Sequence, residues 1–201
     1  MPVEIFIFPK NTNKTMARTP STMLPLGTVA PEFSLMDTVT ERTMNLHALK
    51  GDKGTVIMFI CNHCPFVKHV NPEIVKIAKE YQDKGIGFIA ISSNDVENYP
   101  QDRPELMKKT AKEEGYTFPY LYDATQEVAK EYHAACTPDF YLFDADIELV
   151  YRGQLDGSRP GNDIPLTGND MRKALDALLS GEEIDQDQKP SIGCNIKWKQ
   201  S

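Results

Sequence analysis

The sequence predicts an α/β fold built on a mixed central sheet, and three observations carry that prediction. "TVIMFIC" (55–61) and "IGFIAISS" (86–93) are continuously apolar or β-branched runs, which suit strands buried on both faces. Between them, "FVKHVNPEIVKIAKEYQDKG" places Val67, Val70, Ile74, Ile77, Ala78 and Tyr81 on one helical stripe. Further on, "DFYLFDADIELVYRGQLD" reads as two strands around a turn at Asp144 to Asp146. The first three segments make a β-α-β unit with a right-handed crossover, and the last adds an antiparallel hairpin.

The remaining elements follow in chain order. Residues 1–23 form a polar arm containing Pro2, Pro9 and Pro20, with no sustained periodicity. Met16 opens a stretch that reads as a start of its own, so residues 1–15 are taken as an alternative start or an appended segment. "EFSLMD" is a short strand and "MNLHALKG" a turn or two of helix closed by Gly51. A helix is expected from Pro104 to Glu114, with proline in the favoured first turn. "FPYLYD" gives a short strand, and "TQEVAKEYHA" a helix capped by Thr125. "TGNDMRKALDALLSG" is a last helix, capped near Asn169 or Asp170 and stopped at Gly181. The tail, 182–201, shows no period, which leaves 24–181 as one domain.

Composition bounds the function. A chain of 201 residues with 40% hydrophobic and 25% charged residues can build a full core without disulfide support. A net charge of −7 with no basic patch argues against nucleic acid as the main partner. No run approaches the roughly 20 apolar residues of a membrane span. The N-terminus lacks the basic flank and cleavage site of a signal peptide, so a cytoplasmic setting is expected. There, cysteine pairs are more often catalytic or metal-binding than structural. No glycine-rich phosphate loop and no cofactor motif is present, so no cofactor beyond the cysteines themselves is expected, and no feature assigns an oligomeric state.

The chemistry concentrates in "FICNHCPF" (59–66), where Cys61 and Cys64 stand three positions apart at a strand-to-helix junction, with Asn62 and His63 between them and Pro65 behind. Cβ atoms at i and i+3 of a helical turn lie about 5–6 Å apart, and modest adjustment reaches the roughly 3.5–4.5 Å of a disulfide. At a helix start, free N–H groups and the helix dipole would favour a thiolate at Cys61. An imidazolium at His63 would favour the reduced form and make the disulfide more oxidising. Lowering a thiol pKa from about 8.5 to about 6.5 raises the thiolate fraction at pH 7 roughly 24-fold, but intrinsic nucleophilicity falls roughly 6- to 10-fold. His63 therefore tunes redox poise more than rate.

Two other readings of the pair stand beside redox chemistry. Cys61, Cys64 and His69 could offer three zinc ligands, although no second Cys-x-x-Cys follows. Alternatively, the pair could be inert buried thiols in a scaffold. The acidic stretches "SSNDVENYPQD" and "DGSRPGND" lack calcium-loop spacing.

A family resemblance narrows the choice. "LGTVAPEFSLMD" (26–37), "LHALKGDKGTVIMFICNHCP" (46–65) and "ACTPDFYLFD" (135–144) resemble landmarks of the alkyl hydroperoxide reductase/thiol-specific antioxidant and thioredoxin superfamily. With "RGQLDGSRPGND" and the terminal "PSIGCNIKWK", the chain from about 24 to 199 resembles the peroxiredoxin-like, redoxin-domain thioredoxin proteins. The resemblance implies a thioredoxin-like fold and an antioxidant or thiol-disulfide oxidoreductase, with Cys61 attacking and Cys64 resolving. It further implies a cis Pro138 packed against the pair, with the preceding Thr137 backbone open to an extended partner. The implied partners are a protein or small-molecule disulfide, or a hydroperoxide, together with a thiol reductant.

The chain also departs from that pattern. Where a peroxiredoxin carries Pro-x-x-x-Thr/Ser-x-x-Cys, aligning Cys64 with the peroxidatic thiol puts Ile57 and Cys61 at the Pro and Thr positions. Where thioredoxin has Trp-Cys-Gly-Pro-Cys, Ile60 replaces Trp and Asn62-His63 replace Gly-Pro. A His before the second Cys is similar to the more oxidising oxidoreductases. Cys136 and Cys194 are candidate extra thiols, and His47, His69, His133 and Arg152 are expected to be structural or solvated.

Overall fold

The computed structural model describes residues 18–200; the segment 1–15 set apart above lies outside them. Ten strands and five helices are present among the described residues. The strands are β1 (Arg18–Pro20), β2 (Ser34–Asp37), β3 (Thr43–Asn45), β4 (Gly54–Phe59), β5 (Ile86–Ser92), β6 (Tyr120–Tyr122), β7 (Cys136–Thr137), β8 (Asp139–Asp144), β9 (Leu149–Gly153) and β10 (Ile192–Asn195). The helices are α1 (Leu46–Leu49), α2 (Pro65–Tyr81), α3 (Pro104–Glu114), α4 (Glu127–Glu131) and α5 (Asn169–Ser180).

Seven strands form the central sheet in the order β3-β2-β6-β5-β4-β8-β9. β4 and β5 are parallel, as the crossover through α2 requires, and β6 lies parallel to β5. The β8–β9 hairpin runs antiparallel to β4, so the sheet is mixed and its fold thioredoxin-like.

Alternation along the central strands decides which residues meet which helices. Val56, Met58, Phe88, Ala90, Phe140 and Leu142 face the layer of α2 and α5. Ile57, Phe59, Ile89, Ile91, Tyr141 and Phe143 face the layer that includes Leu46 of α1 and Val128 of α4. All six positions of the expected α2 stripe are buried.

Local differences have physical causes. The start of α5 uses neither Asn169 nor Asp170 as a side-chain cap; Gly168 stands there in the left-handed region, at φ 64°. Asp156 Oδ2, reaching across the loop, accepts the Thr167 and Gly168 N–H groups at 2.6 Å each. α4 is shorter than its polar-apolar pattern suggested, ending at Glu131, and Thr125 accepts the Glu127 N–H from just outside it.

The larger departure is a second sheet, ordered β1-β10-β7. The tail that showed no period supplies its middle strand. Strand pairing there is set by backbone fit rather than by side-chain alternation: a Cβ on Gly193 would land on the Thr137 carbonyl. Among the described residues, no helix is long and apolar enough to cross a membrane.

Candidate active site

The site forms where β4 ends. The Ile60 N–H still bonds to the Ile91 carbonyl, which holds the chain in line with the sheet, and α2 then begins at Pro65. Proline suits a first helical position because that N–H has no intrahelical partner. Cys64 is consequently the residue that caps the helix, and Cys61 lies three positions ahead of that cap. This shifts the expected electrostatics from Cys61 to Cys64.

The sulfurs converge on Thr137, whose peptide bond to Pro138 is cis. Cys61 Sγ lies 3.3 Å from Thr137 Oγ1, and Cys64 Sγ lies 3.2 Å from the Thr137 carbonyl oxygen. Cys64 Sγ is also 2.8 Å from Cys194 Sγ on β10. All three thiols are buried, at 2%, 0% and 7% exposure for Cys61, Cys64 and Cys194.

Their proton affinities diverge. The Cys64 thiol is pushed well below its ordinary value, first by the hydrogen bond from Cys194, then by that from Cys61, and further by the Val67 main-chain N–H. Burial pushes Cys61 up, with further pushes from Cys64 and from the negative charge of Asp102. Cys194 is pushed up chiefly by its bond to Cys64 and then by burial. The helix start and the hydrogen-bonding groups thus gather at Cys64 rather than at Cys61.

His63 has a different partner from the one its position suggested. Its Nδ1 lies 2.7 Å from Asp102 Oδ2, and its ring stacks on Tyr99 at 5.7 Å between centroids. Asp102, fully buried, also accepts the Asn62 main-chain N–H at 2.8 Å and the Asn94 amide at 2.8 Å. Asn62 in turn donates to the Gln101 carbonyl and accepts from the Tyr120 hydroxyl. The loop 94–102 thus pins both residues between the cysteines. Asp102, Tyr99 and Tyr120 were missed in the sequence because nothing in local spacing links a turn at 62 to an acid 40 positions on.

Cys61, His63 and Asp102 are a group of three whose ligand atoms all lie within 4.8 Å of one another. Both Asp102 oxygens are already taken by N–H donors, which fits a hydrogen-bonded brace better than a chelate. The zinc set imagined from spacing is not assembled: His69 Nε2 instead lies 2.8 Å from Ser158 Oγ.

Elsewhere, Cys136 is fully buried with its sulfur 3.5 Å from the Pro138 carbonyl oxygen. Arg152 braces the fold, donating to the Leu24 carbonyl and to Gln188. His47 pairs with Glu32 at the surface, and His133 is exposed. In the acidic loops, Asp156 takes main-chain N–H groups and Asp95 takes the Glu97 N–H and the Asn98 amide, which accounts for both without a cation.

Comparison with known proteins bears on this arrangement. Residues 26–152 match the model of the AhpC/TSA family. The thiol-disulfide oxidoreductase ResA of Oceanobacillus iheyensis is 27% identical over 135 residues, covering 65% of this chain and 66% of that relative. The match therefore spans just under two thirds of the curated relative's length. Among solved structures, an uncharacterized conserved protein from Geobacillus kaustophilus superposes with a TM-score of 0.91 at 61% identity, covering 92% of this chain and 98% of that one. The thioredoxin domain of a thiol-disulfide oxidoreductase from Bacteroides vulgatus shares the fold, with a TM-score of 0.58 at 22% identity, 76% of this chain and 99% of that one being covered.

Proposed function

The chain belongs to the AhpC/TSA family, and we propose that it acts as a thiol-disulfide oxidoreductase through Cys61 and Cys64. The observation that carries the proposal is the convergence of both sulfurs on Thr137, which gives a single shared proton two hydrogen-bonded resting places. With the proton on Cys61, the Cys64 thiolate accepts from Cys61 and Cys194. With the proton on Cys64, its S–H can donate to the Thr137 carbonyl while the Cys61 thiolate accepts from the Thr137 hydroxyl.

The second arrangement frees Cys61 to attack a substrate disulfide. A mixed disulfide forms at Cys61, and one substrate sulfur leaves as a thiolate. Cys64, whose surroundings favour the charged form, then attacks Cys61 Sγ and expels the other substrate sulfur, leaving a Cys61–Cys64 disulfide. A separate thiol reductant restores the pair. Substrates on this proposal carry accessible disulfides; the ResA relatives are named for that chemistry.

The test is reduction of insulin, or of a small aromatic disulfide, by the full chain in the presence of a thiol reductant. Cys61→Ser is expected to fall to background, and Cys64→Ser to accumulate mixed disulfides on Cys61. Full turnover by Cys61→Ser would overturn the proposal. Hydrogen peroxide is expected to be consumed no faster than by an ordinary free thiol, because Cys61 occupies the position where a peroxidase places its activating hydroxyl.

A further inference from the structure

The edge of β7 that the family resemblance left open to a partner strand is filled by the chain itself. β10 pairs antiparallel with β7, with Cys194 opposite Thr137 and Asn195 opposite Cys136. Its other edge pairs with β1, with Cys194 opposite Arg18, so the strand is held on both sides. Beyond it, the Lys197 N–H bonds to Asn94 Oδ1 and the Asp95 N–H to the Lys197 carbonyl, tying the tail to the loop that braces His63. β10 therefore occupies the place of an extended substrate, and it carries a cysteine there.

That cysteine is in reach for bonding. Cys194 Sγ is 2.8 Å from Cys64 Sγ, whereas a disulfide is about 2.05 Å long, so a shift of under about 1 Å closes the gap. Gly193 has no side chain to hold the two backbones apart.

We infer that Cys194 is a third redox thiol, which takes the disulfide from Cys61–Cys64 by internal exchange; this rests on the role proposed above for the pair. Cys194 gives up its proton, and its sulfur attacks Cys64 Sγ. The Cys61–Cys64 bond breaks as the Cys64–Cys194 bond forms, and Cys61 leaves as a thiolate that takes up one proton. No electrons enter or leave the three sulfurs, so no external oxidant or reductant is needed. The exchange returns Cys61 to its thiol while the tail strand holds the oxidised equivalent. With Cys64 so engaged, a new mixed disulfide at Cys61 would wait for resolution, and the tail would govern how long a substrate is held.

The test is disulfide mapping on the full chain. Protein is equilibrated in a glutathione redox buffer, quenched with acid, alkylated, digested and sequenced by mass spectrometry. Wild type is expected to yield both Cys61–Cys64 and Cys64–Cys194 bridges. Cys61→Ser should yield Cys64–Cys194 as its main internal bridge, and Cys194→Ser should yield Cys61–Cys64 alone, with a shifted midpoint because one oxidised state is lost. If Cys61–Cys64 forms while Cys64–Cys194 is absent from both wild type and Cys61→Ser, the inference is overturned and the redox pair stands. If Cys61–Cys64 never forms in wild type, both the pair and the exchange fall. The wild-type map needs no variant to fold, and far-UV circular dichroism checks those that are used.

Discussion

Cys136 and Cys194 sit on neighbouring strands of the small sheet, one residue out of register, and that single residue separates their chemistry. Cys194 is paired with Thr137, the residue that both the Cys61 and Cys64 sulfurs touch, and its own sulfur meets Cys64. Cys136 is paired with Asn195, on the alternate position, so its side chain points to the other face. There its thiol is pushed up by burial and then by Asp139, and its sulfur lies 3.5 Å from the Pro138 carbonyl oxygen. Proximity in sequence to Pro138 thus counts for less than strand parity. The cysteine 57 residues beyond Thr137 is hydrogen-bonded to Cys64, whereas the one beside Thr137 bonds to the Pro138 carbonyl.

The contrast breaks most completely if the register is lost. Gly193→Ala would drive a Cβ into the Thr137 carbonyl, a backbone atom that cannot swing aside. The expected outcome is a loss of about 3 kcal/mol in urea-induced unfolding, together with loss of the Cys64–Cys194 bridge in disulfide mapping. Wild-type stability in this variant would mean that β10 is not seated on β7 as described.

The same parity argument shows what the sequence could and could not convey. The central strands announce themselves because burial on both faces demands unbroken apolar runs, as in Val56 to Ile60. The α2 stripe does so because one face must be apolar at 3.6-residue spacing. Cys61, Cys64 and Pro138 are legible because family landmarks surround them. β10 leaves no such trace: "IGCN" is four residues held by main-chain bonds and a missing Cβ, which demand no pattern of hydrophobicity. Asp102 is silent for a related reason, since its partners Asn62, His63 and Asn94 come from two separate loops. The helix start lies one turn beyond Cys61, because Pro65 is its first residue and Cys64 its cap.

A smaller effect distinguishes the buried face that holds Cys136. Asp139 is fully buried, and its Oδ1 has no hydrogen-bond partner among the described residues; its Oδ2 accepts from the Tyr141 hydroxyl at 3.1 Å. Burial pushes this carboxyl from 3.8 up to about 7. Between those values the native state holds a proton that the unfolded chain has released, so stability falls as pH rises. As far as Asp139 is concerned, the protein should be most stable below about pH 4, lose stability progressively up to about pH 7, and level off above. Denaturant unfolding at pH 5 and 8 reads the slope, and Asp139→Asn should flatten it. An equal slope in that variant would assign the effect to other groups.

The smallest expected effect sharpens the comparison most cleanly. Cys136→Ala removes one buried sulfur from the face opposite Cys61 and Cys64, leaving a void in a well-packed layer. The cost is about 1 kcal/mol, the transfer and cavity contributions of a single heavy atom. Because its sulfur bonds to the Pro138 carbonyl and not to Cys64, Cys61–Cys64 formation, Cys64–Cys194 formation and insulin reduction should all match wild type. A changed disulfide map would show that the two faces of β7 communicate, and parity would then no longer separate the thiol that meets Cys64 from its neighbour.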